Sequence, residues 1–279
     1  MTEIIFFDID GTLRDEALGI PKSVEKAFFQ CRKTGYRLVI CTGRSMGTIQ
    51  EDVLSLGADG YITGGGCRIQ YGDTVIKDMI FPADMIQTVL RALTKRTDTG
   101  FTMESGEAVF MNSRAAALLE KRNREVGIRS QGGNIIYQDN IKALDAGKNR
   151  IHKICLWGSS RDFLDTKEML KGEMELVQTS VWGKYHYYEL IPKGCQKGGA
   201  IRELCGYLNI PLSRTMSFGD GKNDIEMLKA TRISAAMENG DKELFPYADL
   251  ICREPMKDGI YWALVETGVI PGEEAGTGK

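Results

Sequence analysis

The sequence predicts an α/β protein with a doubly wound parallel sheet and an inserted α+β unit. Three observations lead there. Short apolar strand patterns alternate with helical ones at both ends of the chain, the middle strands are longer and more polar, and acidic or hydroxyl residues follow the apolar strands directly. Residues 3–8 (EIIFFD) form an apolar run ending in acid. Residues 21–35 carry Pro21 near the start, apolar Val24, Ala27, Phe28 and Cys31 at helical spacing, and Gly35 as a stop, which reads as a helix with a glycine cap. Residues 36–42 (YRLVICT) are a second buried strand, 45–56 a second helix, and 61–63 the start of a third strand. Such alternation suits a parallel sheet covered on both faces.

Residues 68–78 read as a hairpin around Gly72 and Asp73. From about Phe81 to Trp182 longer strands (151–158, 174–181) alternate with helices, one of them near 160–171. The α/β rhythm returns after Tyr188 with a helix near 197–208, a strand at 215–220, a helix from about Asn223, and strands at 233–237 and 249–252. The last eight residues, GEEAGTGK, have the composition of a frayed end. The expected division is a core of residues 1–81 and 189–279, with 82–188 inserted.

Composition narrows the function. The 279 residues are 42% hydrophobic and 27% charged, with a net charge of -2. That is ordinary globular composition, with no basic footprint for nucleic acid and no polybasic membrane patch. The apolar run at 4–7 is too short for a signal peptide or a membrane span. Seven scattered cysteines without a C-x-x-C point to free thiols and a cytoplasmic protein. Only His152 and His186 are present, which argues against an imidazole-built zinc or iron site.

Four short motifs carry chemistry. Asp8-Ile9-Asp10-Gly11-Thr12 follows the first strand, at the edge where open α/β sheets bind ligands. One carboxylate there can attack while the other faces a leaving group, although a D-G turn is the plainer alternative. Gly219-Asp220-Gly221-Lys222-Asn223-Asp224 follows another apolar strand and suits a hard cation with oxygen ligands, or a loop with a helix N-cap. Gathering Asp8, Asp10, Asp220 and Asp224 in one cleft raises carboxylate pKa values by repulsion, which a divalent cation relieves. Thr42-Gly43-Arg44 can hold a phosphate oxygen or cap a helix. Lys197 stands at a helix start, against the helix dipole, and so needs a compensating anion; Lys193 is the competing candidate and a solvated lysine the plain one.

In this order and spacing the four motifs resemble those of the haloacid dehalogenase (HAD) superfamily, and most of all its Cof-type sugar phosphatases. The resemblance covers nearly the whole chain, including residues 235–240 and Asp258-Gly259-Ile260. It implies a Rossmann-like core, an α+β cap between the second and third motifs, and Mg²⁺-dependent hydrolysis of a small phosphorylated metabolite, a sugar phosphate or phosphorylated cofactor, through an aspartyl-phosphate. Asp8 would be nucleophile and metal ligand. Asp10 would be general acid/base and give its backbone carbonyl to the metal, and Asp220 would be the third protein ligand. Thr42, Gly43 and Lys197 would hold phosphoryl oxygens, with Asn223 in contact with phosphate. Asp224 would orient Lys197 or metal-bound water, and Arg44 would be either a second phosphate contact or a salt-bridge partner. The presence of Asp10 favours phosphoryl transfer over dehalogenation.

Two departures from the subfamily concern substrate choice: Gly65-Gly66-Cys67 replaces Asn-Gly-Ala, and Glu238 replaces a common Gly. The alternatives are a phosphomutase of the phosphomannomutase type and a non-catalytic ligand-binding protein on the same scaffold. Trp157, Trp182, Tyr185, Tyr187 and Tyr188 suit substrate walls but read mostly as packing or strand surface, the two histidines as strand residues, and Cys41 and Cys195 as packing residues near the site.

Overall fold

The computed structural model describes residues 2–127, 139–158 and 174–272. Eight strands form one sheet in the order β13-β12-β11-β1-β2-β3-β4-β5. They are β1 (Ile4–Phe7), β2 (Arg37–Cys41), β3 (Gly60–Thr63), β4 (Arg68–Tyr71), β5 (Thr74–Asp78), β11 (Thr215–Gly219), β12 (Ile233–Met237) and β13 (Leu250–Cys252). The first six in sheet order are parallel, and the β4–β5 hairpin is added antiparallel at one edge. The doubly wound expectation therefore holds, with an antiparallel extension.

All four residues of β1 are fully buried because both faces of the sheet are covered. Ile5 and Phe7 pack on one side with Val24 and Phe28 of α1 (Lys22–Thr34) and with Ile260 of the last helix (Gly259–Glu266). Ile4 and Phe6 pack on the other, with Ile201 and Leu204 of the helix Lys197–Tyr207 and Met227 of the helix Ile225–Ala230. This two-residue alternation builds two apolar layers from one short strand.

One predicted helix is broken. Residues 45–56 form a 3₁₀ turn, Met46–Thr48, and a five-residue helix α2, Glu51–Ser55, separated by extended Ile49 and Gln50. The Thr48 carbonyl accepts from Arg44 Nη1 at 3.0 Å, so it is committed outside a helical ladder. A Cβ on Gly47 would lie 3.2 Å from the Ser105 carbonyl oxygen, so this turn is seated against the second sheet.

The second sheet is antiparallel, in the order β7-β6-β8-β10-β9. Its strands are β6 (Gly100–Ser105), β7 (Val109–Met111), β8 (Ile151–Gly158), β9 (Met174–Trp182) and β10 (Tyr185–Pro192). Strand β10 runs on to Pro192, past residue 188. Ile154, Leu156, Phe101 and Met103 face an apolar layer with Ile86, Val89 and Leu93 of α3 (Ala83–Leu93). The expected helix near 160–171 and the C-terminal residues 273–279 lie outside the described residues. Among the described residues no helix is long and apolar enough to cross a membrane.

Phe7 stacks on Phe218 at 5.2 Å between ring centroids and tilts against Phe28 at 4.9 Å. Phe7→Ala should cost about 3–5 kcal/mol of stability and Phe7→Leu less than about 1.5 kcal/mol, measured by urea unfolding.

Candidate active site

Parallel registry brings three motifs to one edge. Phe7 pairs with Ile40 of β2 and with Phe218 of β11, so Asp8, Thr42 and Asp220 leave neighbouring strands at the same end of the sheet. The strand order reverses at β1, which opens the crevice that such sheets use for ligands.

Asp8 keeps its backbone N–H in the ladder, donating to the Phe218 carbonyl at 3.0 Å. Its side chain accepts from Lys197 Nζ at 2.6 Å, and the same ammonium donates to Asp224 at 2.5 Å. Lys197 is 2% exposed and Asp224 fully buried. The two carboxylates thus supply the anions needed by a lysine at a helix start. Lys193, the competing candidate, is exposed.

The other oxygen of Asp224 accepts from the N–H groups of Asp220 and Gly221, both at 3.0 Å, and folds the late loop on itself. A Cβ on Gly219 would stand 2.6 Å from that of Asp224, so this approach requires glycine. Gly11 has φ +78°, and a Cβ there would lie 2.2 Å from an Asp220 oxygen. Thr12 Oγ1 donates to Asp220 at 3.0 Å, which draws the first and fourth motifs together.

One oxygen from each of Asp8, Asp220 and Asp224 lies within 4.8 Å of the others. Burial, with added repulsion from Asp224 and Asp10, raises the Asp8 carboxyl to about 7 against the pull of Lys197. Burial, then repulsion from Asp8 and Asp224, raises Asp220 to about 8. These are carboxylates short of positive charge, and an all-oxygen cluster fits a hard divalent cation.

The Asp10 carboxylate lies outside this cluster. Arg44 grips it with two bonds, Nε at 2.6 Å and Nη2 at 2.8 Å. Burial pushes the Asp10 pKa up, but Arg44 outweighs it and leaves the group below its ordinary value. Arg44 is thus the salt-bridge partner of Asp10. Thr42 does not cap a helix; its hydroxyl accepts the Arg44 N–H at 3.1 Å. A Cβ on Gly43 would be 3.5 Å from the Asn223 amide nitrogen, so the second and fourth motifs also adjoin.

A cavity of about 460 Å³ extends from Asp8, Asp10, Thr42 and Asn223 to the second sheet. Trp157, Trp182, Tyr185 and Tyr187 line it, so four of the five aromatics read as packing or strand surface are cavity wall; only Tyr188 packs in the apolar layer behind. His152 is a buried strand residue, paired with Asp78 at 2.5 Å. Cys41 lies in the apolar core and Cys195 is buried near Met79. A Cβ on Gly65 would meet nothing within 4 Å, although its φ of +67° favours glycine, and Glu238 is exposed beside Lys257.

Glu104, Lys153 and Glu189 also line the cavity, and they went unnoticed in the sequence. Lys153 Nζ donates to Glu189 at 2.9 Å and to the Gly43 carbonyl at 3.0 Å, while Glu104 accepts from Ser45 at 2.9 Å. A signal existed: Lys153 sits in phase with Cys155 and Trp157 along β8, opposite to apolar Ile154 and Leu156. A lysine in such a strand marks a polar face.

A family model described as haloacid dehalogenase-like hydrolase matches residues 5–264. The chain is 27% identical over 271 residues to YkrA of Bacillus subtilis strain 168, covering 96% of this chain and 99% of that one. It is 29% identical over 249 residues to an HMP-PP phosphatase of Yersinia enterocolitica, covering 88% and 86%. Among solved structures, the HAD subclass IIB sugar phosphatase BT4131 superposes with a TM-score of 0.77 at 25% identity, covering 96% of this chain and 100% of that one. A protein from Geobacillus kaustophilus HTA426 shares the fold with a TM-score of 0.81 at 22% identity, covering 97% and 100%. With the ordered motifs meeting at one sheet edge and the family match running through almost all of the chain, this protein belongs to the haloacid dehalogenase-like hydrolases.

Proposed function

We propose that the protein is a Mg²⁺-dependent phosphatase that hydrolyses a small phosphorylated metabolite through a phosphorylated Asp8. The observation that carries this is the convergence of Asp8, Asp220 and Asp224 around one point, with Lys197 behind them. Names of similar proteins support the substrate class: one is an HMP-PP phosphatase and one a sugar phosphatase. Seven free, buried thiols support a cytoplasmic setting.

Asp8 and Asp220, with the Asp10 backbone carbonyl, are the proposed Mg²⁺ ligands, and Asp224 steadies the loop that carries Asp220. Bound there, Mg²⁺ supplies positive charge against the phosphoryl oxygens. Lys197 adds charge beside the Asp8 oxygen, so that one anion can approach another. Thr42, the Gly43 backbone and Asn223 hold the remaining phosphoryl oxygens. Asp8 attacks phosphorus and the ester oxygen departs. Asp10 protonates that oxygen, then takes a proton from the water that cleaves the aspartyl-phosphate. Arg44 holds the Asp10 pKa below its ordinary value, so its acid role requires that this ion pair loosen when substrate is bound. We take the inserted residues 82–188 as a cap that shields the reaction from water and contacts the leaving group.

A phosphomutase or a non-catalytic binder would share the scaffold. Released phosphate with no isomerised ester, across a panel of phosphate monoesters with Mg²⁺, is the expected result. No hydrolysis of any member would overturn the proposal. Asp8→Asn should reduce turnover to background without loss of fold, and Asp10→Asn should lower kcat by about 10²–10⁴-fold, as measured by phosphate release.

Chelation gives an independent check. The raised pKa values of Asp8 (about 7) and Asp220 (about 8) mean that the folded, metal-free protein holds protons which the unfolded chain has released. Their contribution is complete below about pH 4 and is lost as the pH rises through these folded values. The Tm of chelated protein should therefore fall between pH 5 and 8, Asp220→Asn should flatten the slope, and Mg²⁺ should reverse it.

A further inference from the structure

Lys153 stands on β8 of the cap sheet, 110 residues from the phosphate loop that it touches. It is 5% exposed, one of the most enclosed charges outside the reaction centre. Burial works against the ammonium, but Cys155, Glu104 and Glu189 around it hold its pKa above the ordinary lysine value. It thus remains a donor throughout the working pH range.

Its contact with Gly43 has a specific consequence. The Gly43 carbonyl and the Arg44 N–H belong to one rigid peptide plane. Lys153 holds the carbonyl at 3.0 Å, and Thr42 Oγ1 accepts the N–H at 3.1 Å. With that lone pair engaged, the Thr42 hydroxyl proton is left to turn toward the cavity. On the cap side Lys153 is steered by Glu189 at 2.9 Å, with Glu104 at 3.8 Å. A continuous polar chain therefore runs from Glu189 through Lys153 and the Gly43 peptide to Thr42.

We infer that Lys153 is a positioning residue: it orients the Thr42 hydroxyl for the phosphoryl group by pinning the Gly43–Arg44 peptide, and it does so only while the cap sheet is seated over the site. This rests on the phosphatase reading above. It explains why a charge is buried at the cap–core seam, where an apolar residue would pack with less desolvation cost.

A double-mutant cycle tests it. Thr42→Ala, Lys153→Met and the double variant are compared by kcat and KM with p-nitrophenyl phosphate and one metabolite ester. Lys153→Met should lower kcat by up to about 10²-fold, the scale expected when a contacting group shifts by an ångström. If Lys153 acts through Thr42, the double variant falls within about twofold of Thr42→Ala alone. Losses that multiply would overturn the proposal. Lys153→Arg keeps both donors and should restore most of kcat, a rescue that a purely structural role in packing would not give. Vanadate affinity, read by tryptophan fluorescence, should weaken in step with kcat/KM while Mg²⁺ affinity stays near wild type. If Lys153→Met does not fold, Glu189→Gln takes its place in the cycle, with a smaller loss and the same non-additivity expected. A wild type that hydrolyses no monoester would defeat the phosphatase reading itself; an active wild type with independent losses would defeat only the role of Lys153.

Discussion

The Lys197 ammonium, enclosed between Asp8 and Asp224, is the interaction on which the geometry of the site depends. It joins residues from three distant parts of the chain, with Lys197 and Asp224 buried and Asp8 at the edge of the cavity. Removing one partner from such a buried set typically costs about 3–5 kcal/mol, because the remaining charges lose their compensation. The arrangement still leaves two carboxylates, Asp8 and Asp220, with raised pKa values. One lysine is too little charge for this cluster, and that deficit is what a cation would fill.

Two rigid supports keep the cluster in place. The parallel ladder β11-β1-β2 sets where the backbones end, and the Asp224 carboxylate closes the late loop through two backbone N–H groups. Gly11 and Gly219 then allow the loops to approach more closely than any side chain would permit. Hydrogen bonds and sterics thus hold the acidic side chains in place.

The core was legible because its signals are local. Four apolar residues followed by acid locate β1 and Asp8, and the burial of β1 on both faces is what a central parallel strand requires. Lys197 was legible because a cation at a helix start is anomalous on its own terms. The break at 49–50 was not, since it comes from the Arg44 bond to the Thr48 carbonyl and the seating of Gly47 on the second sheet, both long-range. Glu104, Lys153 and Glu189 escaped notice for a related reason. Glu104 pairs with Lys153 in the β6–β8 register, and Glu189 with Cys155 across β10–β8, but that pairing becomes visible only once the strands are assembled. The alternation in β8 places Trp157 on the same face as Lys153, but which face meets the cavity depends on the assembled sheet.

The antiparallel sheet presents two independent faces. Phe101, Met103, Ile154 and Leu156 hold it together from behind, while Thr102, Glu104, Cys155, Trp157, Tyr187 and Glu189 alternate with them in the strand registers. Mutation can rewrite every second residue of these strands without opening a hole in the apolar layer. Cavity-face positions away from the Gly43 loop are therefore free to change without disturbing the apolar layer, whereas Lys153 and Glu189 are tied to the other sheet.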